Sequence, residues 1–242
     1  MEEDVVVGGN AGLSRVLERI LHSTIGLKAV MALTGLALVG FAFVHMAGHL
    51  QMFQGPAAYN HYAHMLQSLG GIKWAIRLGL LAACVLHAVA AFKLSMRNAK
   101  ARPVAYAKQK WLVASIGARL MRPSGAIILF FILYHLLHFT ALLVGTAGFV
   151  DVPFEQDGVA MVNVYQHMIV SFQNPLITVG YAVSVALLGV HLSHGIQSSL
   201  QTLGALNSTY RPFVKQLGPL LSGLLVAGFV AVPVAILARV IH

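Results

Sequence analysis

Five apolar stretches, each long enough to cross a lipid bilayer, dominate the sequence. They cover roughly residues 28–50, 73–96, 122–148, 174–199 and 215–240. A bilayer core requires about 20 consecutive apolar residues. Only 10% of the 242 residues are charged, against about 25% in soluble domains, so the surplus apolar surface needs lipid as its solvent. Because backbone polar groups in lipid must be satisfied within each segment, the sequence predicts an all-α integral membrane bundle of five transmembrane helices.

The five stretches and their connections leave room for one domain only. Residues 15–242 are predicted to form this five-helix transmembrane domain, and residues 1–14, which are acidic and glycine-rich, are expected to be a mobile tail. The tail lacks the basic and then apolar order of a cleaved signal peptide.

The basic residues predict the orientation of the helices. Loops rich in Lys and Arg remain on the cytoplasmic side of a membrane. Such residues precede the first span, surround the second connection and occur in the fourth, whereas the third carries acidic residues only. Thirteen of the 16 basic residues belong to this set, namely Arg15, Arg19, Lys28, Lys93, Arg97, Lys100, Arg102, Lys108, Lys110, Arg119, Arg122, Arg211 and Lys215. Of the other three, Lys73 and Arg77 lie in the first connection and Arg239 in the C-terminal tail, and the acidic set is Asp151, Glu155 and Asp157. The N-terminus is therefore expected in the cytoplasm and the C-terminus outside. The net charge of +9 is a topology signal, and no nucleic-acid partner is expected because no basic stripe is interleaved with aromatic residues.

Four of the spans each carry a histidine deep within the apolar run, namely His45, His87, His135 and His191. An unpaired imidazole in a bilayer costs several kcal/mol, so histidine is rare there. For a lone histidine, a hydrogen-bonded contact between helices is the simpler interpretation. One on each of four helices instead indicates axial ligands of buried haem iron, and hence a chain that conducts electrons through a membrane.

Topology and helix rise place these histidines at two depths. His45 lies about 25 Å from the inner face and His135 about 20 Å from it. His87 lies roughly 9 Å from the inner edge, and His191 falls late in a helix that runs inward. His45 and His135 therefore share an outer level, and His87 and His191 share an inner level. Each level offers the two imidazoles that one six-coordinate haem needs, which suits electron transfer better than oxygen binding.

Spacing alone does not distinguish these histidines from their neighbours. His49 follows His45 by four residues on the same helix face, and His138 and His194 each follow a proposed ligand by three.

A short motif recurs in two of the spans. Nine residues separate Thr34-Gly35 from His45, and nine separate Ser124-Gly125 from His135. Small residues allow a porphyrin or another helix to approach closely. The repeat therefore favours a cofactor between helices, although ordinary helix packing explains each glycine equally well.

The single cysteine limits the redox chemistry available to this chain. Cys84 cannot build an iron–sulfur cluster, which needs about four ligands, and without a C-x-x-C-H motif any haem is held non-covalently. The sequence also lacks the G-x-G-x-x-G motif of a dinucleotide domain. A partner must therefore supply the chemistry at one end of the electron path.

The histidine segments resemble a known family, the di-haem cytochrome b membrane-anchor subunits of succinate dehydrogenases and fumarate reductases, the succinate:quinone oxidoreductases. The likeness covers nearly the whole chain. It rests on Met31-Ala-Leu-Thr-Gly, Val44-His-Met-Ala-Gly-His-Leu-Gln, Leu86-His-Ala-Val, Tyr134-His-Leu-Leu-His-Phe-Thr and Gly189-Val-His-Leu-Ser-His-Gly.

The resemblance implies two haem b groups with defined ligands. His45 and His135 would hold the outer haem, and His87 and His191 the inner one. His191 is preferred to His194 because it stands thirteen residues before Gly204, the spacing of the family. His49 falls where relatives often carry asparagine.

The resemblance also implies partners and a location. A flavoprotein and an iron–sulfur subunit would dock on the cytoplasmic face of a bacterial or archaeal cytoplasmic membrane. Electrons would pass through the two haems to a quinone in the lipid, which we expect to be menaquinone, or in reverse during fumarate reduction. The chain would be an enzyme subunit with no dicarboxylate chemistry of its own. One departure is Gly189, where some fumarate reductases carry a glutamate used as a proton path.

Two sites remain to be assigned around the proposed haems. Quinone chemistry needs a proton donor in an amphipathic pocket, and His49, Gln51 and His64 lie at the outer end of the first span and in the next connection. The connections that contain His61, His64 and His167 are expected to be solvated or interfacial loops.

The inner haem propionates are expected to meet a cytoplasmic cluster of cations, namely Lys93, Arg97, Arg119 and Arg122.

Two other functions fit parts of this pattern. A cytochrome b of a hydrogenase or formate dehydrogenase would have similar spectra but a different dehydrogenase partner. A transporter or channel with histidine proton relays would hold no haem and would favour intramembrane acids or broken helices, which the spans lack.

Overall fold

The computed structural model of the chain describes residues 22–101, 104, 115–145 and 152–242. The predicted tail at 1–14 and the start of the domain lie outside these residues. So do several of the charges that predicted the topology, namely Arg15, Arg19, Arg102, Lys108, Lys110 and Asp151.

Seven helices and one short hairpin make up the described chain. In order they are α1 (Thr24–Leu50), a 3₁₀ turn (Gln51–Gln54), α2 (Pro56–Ser68), α3 (Gly71–Lys100), α4 (Ile116–Phe139), β1 (Phe154–Gln156), β2 (Val159–Met161), α5 (Val164–Phe172), α6 (Pro175–Thr202) and α7 (Arg211–Leu237). Five of them, α1, α3, α4, α6 and α7, are long and apolar enough to cross a membrane. Within the described residues, the predicted all-α bundle with five long apolar helices is thus confirmed.

The third long helix differs most from its predicted bounds of 122–148. It begins at Ile116, because Ser115 caps it by accepting a hydrogen bond from the Ala118 N–H at 3.2 Å. It ends at Phe139, although the sequence remains apolar beyond that point. Leu142 and Gly145 both adopt positive φ angles, 55° and 70°, and this left-handed backbone is incompatible with a continuing helix. The predicted last residues of this span, 146–148, lie outside the described chain.

The long helices pack as two pairs with a shared centre. α3 packs against α1, and α4 packs against α6. The two pairs meet where α1 contacts α6, and α7 packs against both α1 and α6. Histidines on α1 and α3 can therefore face histidines on α4 and α6 across the boundary between the pairs.

Short elements cover one end of the bundle. We call this cover the cap and define it as α2, the β1–β2 hairpin and α5. Asn60 of α2 is fully buried, its Nδ2 donates to Asn163 Oδ1 at 3.2 Å and its Oδ1 accepts from the Tyr165 N–H at 2.9 Å. Asn163 also caps α5 by accepting from the Gln166 N–H. The cap therefore joins two connections that the sequence had predicted as loops. The prediction of loops was wrong because both connections contain helices, although His61 and His64 are exposed as expected.

The hairpin has a local signal that the sequence analysis overlooked. β1 and β2 are antiparallel, and Glu155 pairs with Ala160. Asp157 and Gly158, which join them, have φ angles of 52° and 76°. Two consecutive positive φ angles are typical of the tight hairpin turn that Asp-Gly favours.

Candidate functional site

The four histidines on the long helices form two facing pairs. In the outer pair, nearer the cap, the ring centroids of His45 on α1 and His135 on α4 lie 5.8 Å apart with their planes at 83°. In the inner pair, the centroids of His87 on α3 and His191 on α6 lie 6.5 Å apart with planes at 67°. The structure thus brings together the residues that the depth argument paired.

The spacing within each pair suits a metal ion bound from both sides. Two imidazoles that ligate one metal through bonds of about 2 Å hold their ring centroids about 6 Å apart. Both pairs lie close to that value. Each pair could supply two imidazole nitrogens to one haem iron, and at the outer pair iron bound at His45 Nε2 would replace the contact of that atom with His49. In the described part of the chain, no three His, Cys, Asp or Glu side chains converge as a ligand set for a bare metal ion.

Hydrogen bonds at Nδ1 hold the two imidazole rings of the inner pair. His87 Nδ1 lies 3.0 Å from the Met31 carbonyl oxygen and 3.3 Å from Thr34 Oγ1. A carbonyl oxygen only accepts, so Nδ1 carries the proton. Nε2 of His87 is therefore left with a free lone pair, the form required of a metal ligand.

The second inner histidine is held in the same way. His191 Nδ1 lies 3.1 Å from Ser124 Oγ. This contact comes from α4, as those to His87 come from α1.

The glycines of the repeated motif make room for these rings. A Cβ atom on Gly35 would lie 3.1 Å from His87 Cε1, and one on Gly125 would lie 3.3 Å from His191 Cε1. The sequence analysis assigned the glycines to the approach of a porphyrin or a helix. The structure shows that the group approaching each glycine is an imidazole of a neighbouring helix.

The outer pair has a different environment, which includes a third histidine. His49 Nε2 lies 3.2 Å from His45 Nε2, and His49 Nδ1 lies 2.8 Å from the hydroxyl of Tyr59 on α2. Tyr59 is buried, and burial raises its pKa, so the phenol stays protonated at neutral pH. His135 Nδ1 in turn lies 3.5 Å from the hydroxyl of Tyr181. Sequence reasoning missed Tyr59 as a site residue because it was expected in a loop.

The hydrogen bonds and packing of His138 and His194 distinguish these two histidines from the paired ones. His138 is fully buried, with Nδ1 2.9 Å from the Tyr181 hydroxyl and Nε2 3.0 Å from Ser171 Oγ. Both of its ring nitrogens are therefore committed to protein partners, as in a structural histidine. His194 packs against Gly117, and the ring that faces His87 belongs to His191.

His167 of the cap lies beside His138. It is buried, and its ring centroid is 5.6 Å from that of His138 and 5.0 Å from that of Phe139. Burial lowers the pKa of His167. This histidine, predicted in an interfacial loop, is part of the packed base of the cap.

The three residues proposed for a quinone are only partly brought together. His49 is half-buried beside the outer pair, and Gln51, also half-buried, opens the 3₁₀ turn that follows α1. His64 is exposed on α2. Among the described residues, no hydrogen bond or ring contact joins His64 to His49. The hydrogen-bond partner of His49 on α2 is instead Tyr59.

The structure also locates the four predicted cations and Gly189, the position where some fumarate reductases carry a glutamate. Arg97 donates to Thr24 Oγ1 at 3.3 Å and to the His22 carbonyl at 2.9 Å, so it ties the end of α3 to the start of α1. Lys93, Arg119 and Arg122 are exposed. Gly189 is buried where α6 meets α7, and a Cβ there would overlap the Val226 side chain, so a larger side chain requires Val226 to move.

The fold and the site define an all-α bundle whose five long apolar helices carry two facing histidine pairs. Comparison of the chain with protein-family models, with curated proteins and with solved structures found no match.

Proposed function

We propose that this chain is the membrane-anchor cytochrome b of a succinate:quinone oxidoreductase. In this role it passes electrons from a docked iron–sulfur and flavoprotein pair, through two b haems, to a membrane quinone. The chain is then a subunit of an enzyme complex whose dicarboxylate chemistry occurs elsewhere.

One observation carries the proposal, namely the two facing histidine pairs at separations close to the roughly 6 Å expected for bis-imidazole ligation. His45 and His135 hold the outer haem, and His87 and His191 hold the inner haem. A bound haem supplies one-electron chemistry. The chain holds the four imidazoles on four long helices as facing pairs. All four are half-buried within apolar helices, where polar rings are costly in lipid, so a ligand role accounts for them better than helix packing does.

Charge supports an orientation with the cap outside. Eight of the eleven described cations lie at the ends of the long helices opposite the cap, namely Lys28, Lys93, Arg97, Lys100, Arg119, Arg122, Arg211 and Lys215, whereas Lys73, Arg77 and Arg239 lie at the cap end. Glu155 and Asp157 lie in the hairpin of the cap. By the positive-inside tendency, the basic end faces the cytoplasm of a bacterial or archaeal cell. The same basic end offers a docking face for the iron–sulfur and flavoprotein subunits and for the inner haem propionates.

The quinone, which we take to be menaquinone, binds at the outer end beside His49. This imidazole is next to His45 and bonded to Tyr59, so a proton donor lies close to the outer haem. Phe229 packs near both His45 and His49, with ring centroids 5.9 and 6.3 Å away. An aromatic wall with one polar group matches the amphipathic pocket that a quinone head requires. Gln51 and His64 lie farther along the same end of the bundle.

Affinity purification from membranes tests the proposal. The tagged chain is extracted in mild detergent, and its partners, its reduced-minus-oxidised spectrum and its succinate:quinone reductase activity are measured. The proposal predicts two b haems and co-purification of a flavoprotein and an iron–sulfur protein with this activity. A hydrogenase or formate dehydrogenase as the partner would refute the succinate assignment. A haem-free chain would refute the cytochrome assignment altogether.

A further inference from the structure

We infer that Thr34 and Ser124 are matched positioning residues that hold the inner pair of histidines in the ligand-competent orientation. Each acts together with the glycine directly after it, and Thr34 also acts together with the Met31 carbonyl. We call the two segments Met31–Gly35 and Met121–Gly125 the cradles. The effect on haem rests on the proposed function, whereas the effect on the imidazoles does not.

The hydroxyl protons of both residues are already committed. Thr34 Oγ1 donates to the Val30 carbonyl at 2.6 Å, and Ser124 Oγ donates to the Leu120 carbonyl at 2.5 Å. Each hydroxyl therefore presents a lone pair, not a proton, to the neighbouring ring. The imidazole Nδ1 opposite must act as the donor.

The two cradles repeat the same contacts on different helices. Each hydroxyl has a second, longer contact of 3.3 Å to the carbonyl three residues back, from Met31 in one cradle and Met121 in the other. The Met31 carbonyl also accepts from His87 Nδ1 at 3.0 Å, whereas the acceptor at His191 Nδ1 is Ser124 Oγ. Each inner histidine therefore has the hydroxyl oxygen of its cradle as an acceptor for Nδ1–H. Such agreement at sites 90 positions apart in the chain is not expected of incidental helix contacts.

The glycine completes each cradle by allowing the ring to come close. With Cβ distances of 3.1 and 3.3 Å to the ring carbons, an alanine would push the imidazole away from the hydroxyl. The motif that the sequence analysis related to His45 and His135, ten residues further along the same helices, thus serves the other two histidines, His87 and His191.

The outer pair has a different set of contacts in the described chain. Its Nδ1 contact is the 3.5 Å approach of the Tyr181 hydroxyl to His135, and His45 is contacted at Nε2 by His49. Oxygen acceptors at Nδ1–H fix the ring and make an imidazole a stronger electron donor to a metal. Electron donation stabilises ferric iron, so the cradles lower the reduction potential of the inner haem in particular.

The test compares hydroxyl-deleting and hydroxyl-retaining variants of the full chain. Thr34→Val and Ser124→Ala remove the lone pair, whereas Thr34→Ser and Ser124→Thr keep it. Ser184→Ala is a matched control, because Ser184 Oγ also donates to the carbonyl four residues back, at 2.8 Å, in the long helix α6. The two readouts are the midpoint potential of each haem and the rate of haem transfer to apomyoglobin.

We expect Thr34→Val and Ser124→Ala to raise the midpoint of the inner haem alone and to speed its release about tenfold or more. The conservative variants and Ser184→Ala should behave as the wild type. Unchanged values in both deletion variants, an equal shift in Ser184→Ala, or a shift of the outer haem instead would overturn the inference.

A second readout does not require haem. Nitrogen-15 NMR of the histidine-labelled full chain, reduced if it holds haem, reports which ring nitrogen carries the proton. We expect protonated Nδ1 in His87 and His191, with Thr34→Val moving only the His87 Nδ1 resonance and Ser124→Ala only that of His191. A proton on Nε2 of either residue would overturn the inference. A haem-free chain with both protons on Nδ1 would instead support the cradles and refute only the proposed cytochrome function.

Discussion

His45 and His135 face each other with their ring planes at 83°, so the two imidazoles of the outer pair are nearly perpendicular. The planes of the inner pair are also strongly inclined, at 67°.

These angles predict the magnetic signature of the oxidised haems. Perpendicular axial imidazoles make the two π-type iron orbitals nearly equal in energy, and near-degeneracy gives a low-spin ferric signal of very large g-anisotropy. Electron paramagnetic resonance of the oxidised chain should therefore show two such signals, the more anisotropic one belonging to the outer haem. Loss of that signal in His135→Ala would confirm its assignment. Two ordinary rhombic signals, typical of parallel imidazoles, would contradict the described ring geometry.

Glycine 35 gives a prediction with an internal control on the same helix. Gly35→Ala should displace the His87 ring, because its Cβ would meet Cε1 at 3.1 Å, whereas a Cβ at Gly40 would have no neighbouring atom within 4 Å. Alanine favours a helix over glycine by about 1 kcal/mol, so Gly40→Ala should be neutral or stabilising. We expect Gly35→Ala to lose the inner haem and Gly40→Ala to keep both, as measured by pyridine haemochrome assay. Equal haem content in the two variants would refute the close approach.

His138 should matter for stability and not for haem binding. His138→Leu leaves the hydroxyls of Tyr181 and Ser171 without this partner in a buried site. A buried polar group that loses its partner costs about 1–3 kcal/mol. Thermal unfolding in detergent should show a lower Tm than in the wild type or in His61→Leu, whose side chain is exposed on α2. Loss of a haem from His138→Leu with both haems retained in His135→Ala would show that the wrong neighbour was chosen as ligand.

The proposed quinone site predicts a difference among residues at the cap end. His49→Leu and Tyr59→Phe should lower quinone reductase activity about tenfold or more, since general acid–base groups contribute at least this much. His64→Leu and His61→Leu, both exposed on α2, should be near wild type. The measurement is turnover and inhibitor affinity in variants whose two haems are intact by spectrum. Wild-type values in His49→Leu and Tyr59→Phe would favour a site at the basic end instead.

Much of the scaffold could be predicted because lipid imposes simple rules on sequence. Length and apolarity alone give five long helices, and helix rise pairs His45 with His135 and His87 with His191. The end of α4 at Phe139 could not be predicted from apolarity, because the chain stays apolar while its backbone turns left-handed at Leu142.

The cap and the neighbour contacts required tertiary information. α2 and α5 are short and amphipathic, and their fixed positions depend on Asn60, whose partners Asn163 and Tyr165 are more than 100 residues away. Likewise, nothing local distinguishes His138 from His135. The difference arises from Ser171 on α5 and Tyr181 on α6, which the fold brings to the ring of His138.

The most direct test of the cytochrome assignment is the haem content of the purified chain and of six single variants. We predict two b haems per wild-type chain. His45→Ala and His135→Ala should each lose the outer haem, and His87→Ala and His191→Ala the inner one, while His138→Ala and His194→Ala keep both. A pyridine haemochrome assay with a redox titration distinguishes the two haems by number and potential. A wild-type chain without haem, or retention of both haems in any of the four paired-histidine variants, would contradict the account.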